Sequence, residues 1–237
     1  APPAVAQPFA PTVVSLWGSD LMGRYGGVSR TAVRFADAVV VMSEEMAALV
    51  DRDCHVIPHG IDTELFRPIP REFARSEAGW EPDRHHVLFP YPRDREVKDF
   101  PRARRIVDAA GDAVERPVEL HTISGVPHAR MPVFYNAADA LLLTSRREGS
   151  PNAVKEALAC DCPVIATDVG DVADRLDGVT HTAVDDDDDQ LARRLAGVLA
   201  SGARPDGRAA IAPLGVERQL DRLVEVYRSV ADAADRR

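Results

Sequence analysis

Two stretches of this 237-residue chain combine residue types that can do chemistry. The first runs from Thr144 to Ala157 and reads TSRREGSPNAVKEA. Ser150 suits a helix N-cap and Pro151 the first helical position, so the sequence predicts a helix from Pro151 onward. The N–H groups of Asn152 and Ala153 then have no helical carbonyl to reach, and the helix dipole adds to their pull on an anion. Gly149 lets a ligand come close to the backbone. Glu148 lies just before the turn and Glu156 in the second helical turn. Eight positions apart, the two carboxylates need not touch. One can face a neutral polyol beside a phosphate while the other accepts hydrogen bonds from vicinal hydroxyls, as the acidic residue of a dinucleotide site does with ribose. The competing reading makes both glutamates ordinary helix-terminus charges, worth roughly a few tenths of a kcal/mol.

The second stretch is PYPRDREVKDF, residues 90–100. It gathers Arg93, Arg95 and Lys98 in one loop of an acidic protein. Arginine offers a fork to phosphate oxygens and lysine a point charge. Glu96 and Asp99 are the partners these cations would have if the loop were merely a solvated charged segment.

The elements that must position these loops alternate along the chain. Short apolar, β-branched runs predict strands at 12–16, 38–42, 54–58, 86–89, 118–123, 139–144 and 163–167. Helices are predicted at 29–36, from the Ser43 N-cap to Val50, and at 100–110, 131–137, 151–159, 189–200 and 215–234. The last two carry apolar stripes, Leu191, Leu195, Val198 and Leu199 in one and Leu220, Leu223, Val224 and Tyr227 in the other. Gly18, Ser19 and Asp20 end the first strand, and His59-Gly60-Ile61-Asp62 forms a turn. Residues 63–84, with Pro68, Pro70, Gly79 and Pro82, form the best linker candidate. Continuous apolar strands alternating with helices predict α/β architecture with parallel sheets covered on both faces. Ligands of such sheets bind beyond the carboxyl ends of the strands. The loops after Phe89, Ile123 and Thr144 are therefore where chemistry is expected.

Composition narrows the function. Lys and Arg total 29 against 38 Asp and Glu, a formal net charge of −9, and 45% of residues are hydrophobic. These are the proportions of a globular protein, not of a disordered one. The acidic balance argues against a general nucleic-acid binder. No run of about 18 apolar residues offers a membrane span. The first residues, APPAVAQPFAPTVV, lack the basic and apolar regions of a signal peptide. Cys160 and Cys162 are spaced C-x-C with no second cluster, so reduced thiols of a cytoplasmic protein are expected instead of a metal site. The acidic run Asp185–Asp189 precedes an amphipathic helix and reads as its solvated N-terminus.

Together these segments carry a resemblance. EGSPNAVKE, from Glu148 to Glu156, is similar to the E-x7-E signature of the retaining glycosyltransferases of family four. The longer stretch MPVFYNAADALLLTSRREGSPNAVKEALACDCPVIATDVGDVADRL resembles that family throughout, most of all members that build bacterial exopolysaccharides and teichuronic-acid-like polymers. Arg93 and Lys98 resemble the family's R-x4-K pair, which contacts the donor diphosphate. VIPHGIDTELFRP resembles the segment closing the N-terminal domain, and WGSDLMG the H-G-S-D turn. The resemblance spans nearly all of residues 12–235.

It implies a GT-B fold of two Rossmann-like domains. Residues 1–66 would be part of an acceptor-side domain, 71–215 the nucleotide-sugar domain, and 216–237 a helix packing back on the first. Glu156 would hold the ribose hydroxyls. Glu148, with the backbone of Gly149, Ser150, Pro151, Asn152 and Ala153, would hold the transferring sugar. Arg93 and Lys98 would neutralise the leaving diphosphate, where preorganised positive charge must meet developing negative charge. Trp17, Gly18 and Asp20 would lie on the acceptor side. The donor would be a UDP, GDP or TDP sugar and the acceptor a saccharide or lipid-linked saccharide, the latter bringing the protein to a membrane surface. No metal and no further cofactor is expected. The base, sugar, acceptor and oligomeric state are not written in the sequence.

Several positions depart from the family pattern. Trp17 stands for the usual His of the H-G-S-D turn, and either stacks on a sugar ring or is core. Asp161 stands for a turn Gly, tolerable because Asp enters left-handed turns at modest cost. Asp174 replaces a Glu. His55 and His59 read as structural; His121 and His128 border the loop expected near the base. Residues 1–11 read as the end of a helix. About 65 residues precede the linker where a complete domain of this kind takes roughly 150, so an incomplete N-terminal domain is expected. The leading function is a retaining sugar transferase. The alternatives are a non-catalytic nucleotide-sugar-binding module and an epimerase of the nucleotide sugar itself.

Overall fold

A computed structural model describes residues 10–236, which fall into two compact units. The first comprises residues up to 60, with 148–150 and 214 onward; the second comprises 61–147 and 151–213. The expected helix at the chain's beginning lies, but for residues 10 and 11, outside the described residues.

The first unit holds three parallel strands in the order β1 (Val13–Ser15), β2 (Ala38–Val41), β3 (His55–Val56). β1 and β2 align Val13 with Ala38, and β2 and β3 align Val40 with His55. All four residues of β2 are buried, as an apolar β-branched run at a sheet centre should be. Between β1 and β2 lie α1 (Gly18–Met22), α2 (Gly26–Ala32) and a 3-10 turn, Val33–Phe35. α1 corrects the expected turn. Asp20, third in the helix, accepts a hydrogen bond from the Trp17 N–H at 2.8 Å, satisfying a donor that five-residue periodicity could not reveal. α3 (Glu44–Ala48) starts as expected, with Ser43 accepting from the Met46 N–H. Its core joins Leu16, Leu21, Val39, Val41 and Met46.

In the second unit the expected linker contains a helix, α4 (Arg71–Ala78). Pro70 precedes it where a missing N–H costs nothing, and Gly79 ends it at φ +69°, a left-handed cap that glycine adopts freely. Arg75 in this helix is buried and pairs with Asp139, a partner 64 positions away that local composition cannot show. Residues 61–66 also belong to this unit instead of to the first, because Arg208 donates to the carbonyls of Thr63 and Phe66, each at 2.8 Å.

The second sheet is built from β4 (His85–Phe89), β5 (Val118–Thr122), β6 (Ala140–Leu143), β7 (Val164–Ala166) and β8 (Ala183–Val184). Its order is β5-β4-β6-β7-β8, every pair parallel. Helices α5 (Phe100–Gly111), α6 (Met131–Ala137), α7 (Asn152–Ala159), α8 (Val172–Leu176), α9 (Asp188–Ser201) and α10 (Gly207–Ile211) cover it. The Ile106, Leu191, Leu195 and Leu199 side chains of α5 and α9 meet Val87, Phe89, Leu142 and Ile165 of the sheet in one core. α7 begins one residue later than expected. Pro151, not Ser150, is its N-cap residue, extended at φ −69° and ψ 117° and without a side-chain cap. Asp161 is left-handed at φ 51°, as its place in a turn requires, and its carboxylate accepts from the Arg208 N–H at 2.8 Å. α8, α10 and β8 are too short to carry a readable period.

The closing helix α11 (Val216–Ala234) belongs to the first unit. Val226 joins that core, Arg222 donates to the Val56 carbonyl, and the Gln219 side chain accepts from the Gly60 N–H at 2.8 Å. Gly60 is required there: a Cβ would stand 2.6 Å from the Cα of Val216.

Candidate functional site

In the second unit, β4 is followed by the loop that carries Arg93 and Lys98. Residues Glu96–Lys98 form a 3-10 turn, and Asp99, left-handed at φ 54°, caps α5 by accepting from the Arg102 N–H. Thr144, just beyond β6, holds this turn by donating its hydroxyl to the carbonyl of Lys98 at 2.9 Å, and Arg146 pairs with Asp99 at 3.0 Å. The two expected cations then differ. Lys98 is buried, with Nζ 3.8 Å from the centre of the Tyr91 ring. Arg93 is exposed, its guanidinium 5.0 Å over Phe100. An aromatic face orients a cation without neutralising it.

Glu156 lies in α7 and is buried at 6% exposure. One oxygen is 2.8 Å from Nε2 of His128, and the other accepts from the Tyr135 hydroxyl, also at 2.8 Å. Burial, with the Glu156 charge, raises the Tyr135 phenol well above its ordinary pKa, so it stays a proton donor. Each carboxylate oxygen has two acceptor sites, so the two existing bonds leave capacity for hydroxyl donors. His128, which follows the loop after β5, makes this contact with the carboxylate, and its ring lies 5.1 Å from that of Phe66. His121 is the last but one residue of β5, just before the loop it is expected to border. It lies within β5, stacked on Trp80 with centroids 3.8 Å apart.

Asn152 and Ala153 are the first two residues of α7, Asn152 exposed and Ala153 buried. Lys155, buried on the same helix, has its pKa lowered to about 8, first by desolvation. Glu148, Gly149 and Ser150 cluster with the first unit. There a Cβ on Gly149 would stand 2.5 Å from Sδ of Met46, so glycine leaves that side chain its place, whereas one on Gly18 would make only an ordinary contact, 3.5 Å from the Gly149 nitrogen. Trp17 is 54% exposed, not core, and meets His59 edge-on at 4.5 Å.

The acidic run also finds partners. Asp187 caps α9 through the Gln190 N–H, and Asp188 pairs with Arg102 and Arg105. Cys54, Cys160 and Cys162 are all free cysteines, and burial pushes the Cys162 thiol up to about 11.

Residues 100–201 match the family model described as glycosyl transferases group 1. A D-inositol 3-phosphate glycosyltransferase of Mycobacterium marinum is 32% identical over 73% of this chain and 44% of its own length. The teichuronic acid biosynthesis glycosyltransferase TuaC of Bacillus subtilis, a putative assignment, is 30% identical over 69% and 48%. A lipopolysaccharide core biosynthesis mannosyltransferase, LpsB of Rhizobium meliloti, is 28% identical over 65% and 52%. The chain thus spans about half the length of the curated relatives it matches. Among solved structures, sucrose-phosphate synthase of Thermosynechococcus elongatus superposes with a TM-score of 0.73 at 21% identity, over 87% of this chain and 61% of that one. Anabaena HepE in complex with UDP and glucose superposes with a TM-score of 0.72 at 16% identity, over 92% and 72%. These likenesses give the GT-B fold.

Sequence reasoning missed Tyr135, Thr144 and Asp99 as the groups that fix Glu156 and the Lys98 turn. Tyr135 is separated from Glu156 by 21 positions and Thr144 from Lys98 by 46, so no local pattern links them. Arg71, Arg75 and Asp139 were missed for the same reason. No helix among the described residues is long and apolar enough to cross a membrane.

Proposed function

We propose that this chain serves a retaining glycosyltransferase that moves a sugar from a nucleoside diphosphate sugar to a saccharide or lipid-linked acceptor in bacterial glycan biosynthesis, in the cytoplasm and without a metal. One observation carries the reading: a buried lysine and a buried glutamate, Lys98 and Glu156, sit in the segments following two neighbouring strands of the doubly wound sheet. Lys98, with Arg93, meets the diphosphate; Glu156, preorganised by Tyr135 and His128, accepts the ribose hydroxyls. When the glycosidic bond to the diphosphate breaks, negative charge grows on the leaving oxygens. Cations already fixed on aromatic faces stabilise that charge without reorganising. Glu148 and the Gly149–Ala153 backbone hold the sugar, and Trp17, Gly18 and Asp20 serve the acceptor. The bacterial glycan assignment rests on the named activities of LpsB and TuaC.

The test is a calorimetric titration with UDP, GDP and TDP, followed by transfer from the matching sugar nucleotide. One nucleotide is expected to bind best, and Glu156→Gln to weaken it by about 10-fold or more, equivalent to roughly 1.4 kcal/mol. Equal affinity for all three, or unchanged affinity in Glu156→Gln, overturns the ribose role. Product with the donor's anomeric configuration is expected; an inverted product rejects retention. Donor turnover without acceptor points to the epimerase instead.

A further inference from the structure

At the amino-end half of the same sheet, β4 and β5 set His86 directly opposite Glu119. Strand alternation places His121, two residues on, on the same face as Glu119. The three side chains converge. His86 Nδ1 lies 2.8 Å from His121 Nε2, and the Glu119 Oε2 oxygen is 3.8 Å from the former and 3.5 Å from the latter. We propose that His86, His121 and Glu119 form a binding site for a divalent cation of the zinc class, a staple that ties the edge strand β5 to its neighbour.

Three features fit that assignment. The first is the state of His86. Its Nε2 is 2.6 Å from the Glu81 carbonyl, and only an N–H can sit against a carbonyl. Nδ1 therefore carries the lone pair that faces His121. A ring N–H held by a backbone carbonyl is the outer support that metal-binding histidines use to fix tautomer and orientation. The second is spacing. Around a tetrahedral ion with bonds of about 2.0–2.2 Å, ligand atoms stand roughly 3.3–3.5 Å apart. The two rings need to part by about half an ångström and the carboxylate to close by less. His121 moves its shared proton from Nε2 to Nδ1 to expose the second lone pair. The third is access and charge. His86 is fully buried, while the His121 and Glu119 side chains are 19% and 39% exposed, so the ion enters from solvent and keeps a water there. Arg84 binds the other Glu119 oxygen, Oε1, at 3.4 Å and leaves Oε2 to the ion. Two imidazoles and one carboxylate suit zinc better than magnesium or calcium, which favour all-oxygen sets.

The test uses the whole chain, stripped with a chelator that is then removed. Zn2+ is titrated calorimetrically at neutral pH into the parent protein and into His121→Gln and Glu119→Gln. One ion per chain is expected, with affinity at least about 10-fold lower in each variant. The expected Co2+ spectrum has no thiolate charge-transfer band. A concentration-dependent rise in Tm with Zn2+ is expected for the parent alone. Glu119 is partly exposed, so Glu119→Gln remains informative even where His121→Gln weakens folding. Equal affinity in the parent and Glu119→Gln, no binding by the parent, or a thiolate band reporting Cys54 each overturns the proposal.

Discussion

The two ends of the second sheet treat charge in opposite ways. At the amino end, before β6, the Asp139 carboxylate is 5% exposed and faces full positive charges: Arg75 at 2.7 Å and Arg71 at 3.1 Å, with the His86 backbone N–H at 2.8 Å. The arginines also donate to the carbonyls of Ala137, Pro82 and Gly202. At the carboxyl end Arg93 and Lys98 lie on the faces of Phe100 and Tyr91, and Glu156 is held by a neutral phenol and an imidazole. The first arrangement is saturated and serves the fold. The second orients its cations on aromatic faces, which is what a polar, anionic ligand needs. Buried charge alone does not mark a binding site; the chemistry of its partner does.

The contrast can be broken most strongly at Asp139. Asp139→Ala leaves two arginines, one of them buried, without their carboxylate, and an uncompensated buried charge costs about 3–5 kcal/mol. Urea unfolding should show that loss as a lower midpoint with little change in slope. Nucleotide affinity of the protein that remains folded should be unchanged. A loss below about 1 kcal/mol would mean that this end is as loosely held as the other.

Glu156→Gln should behave in the reverse manner. The amide keeps one acceptor for Tyr135 or His128, so stability should fall by only about 1–2 kcal/mol. Nucleotide affinity should fall by about 10-fold or more, read by calorimetry alongside unfolding of the same sample. A variant as unstable as Asp139→Ala, with binding intact, would erase the distinction between the two ends.

How much of this was legible beforehand follows from range. The alternation of buried strands and helices, the β4–α5 cation loop and the Glu156 position are local patterns, and the sequence carries them openly. Ser150 as a cap was a local inference that failed, because Pro151 can occupy the cap position itself with an extended backbone. α4 was hidden inside a proline-rich stretch because its stability comes from Arg75 reaching Asp139, not from its own composition. Trp80, His86 and His121 form one aromatic group from three segments, and nothing in any one of them announces the others. Residue types were readable; the partners that decide their roles were not.

Arg93→Ala sharpens the contrast on the ligand side. Arg93 is exposed, and among the described residues no ion pair holds it, so stability should move by no more than about 0.5 kcal/mol. A nucleoside diphosphate should bind about 10-fold more weakly, near the lower edge of what one hydrogen bond to a charged group contributes. The unphosphorylated nucleoside should bind as before. Equal weakening of both ligands would place Arg93 away from the phosphates, and a measurable stability loss would mean that its stacking on Phe100 serves the fold.

The smallest expected effect concerns Lys155, buried in α7 beside Glu156. Desolvation lowers its pKa to about 8 from 10.5, although Asp171 pulls it upward. Above about pH 8 the folded chain sheds this proton while the unfolded chain still holds it. The unfolded state then binds more protons, and stability rises with pH. Between pH 8 and 9 the gain is about 1 kcal/mol. The buried thiols act in the opposite direction once pH passes the ordinary cysteine value of 9.0, since burial keeps Cys160 and Cys162 protonated in the folded state. The measurement is therefore a difference. Unfolding free energy from pH 7 to 9 in the parent, minus that in Lys155→Met, isolates the lysine and should climb with pH. A flat difference would mean that Asp171 holds Lys155 charged throughout, making it part of a compensated ion pair like those at the amino end.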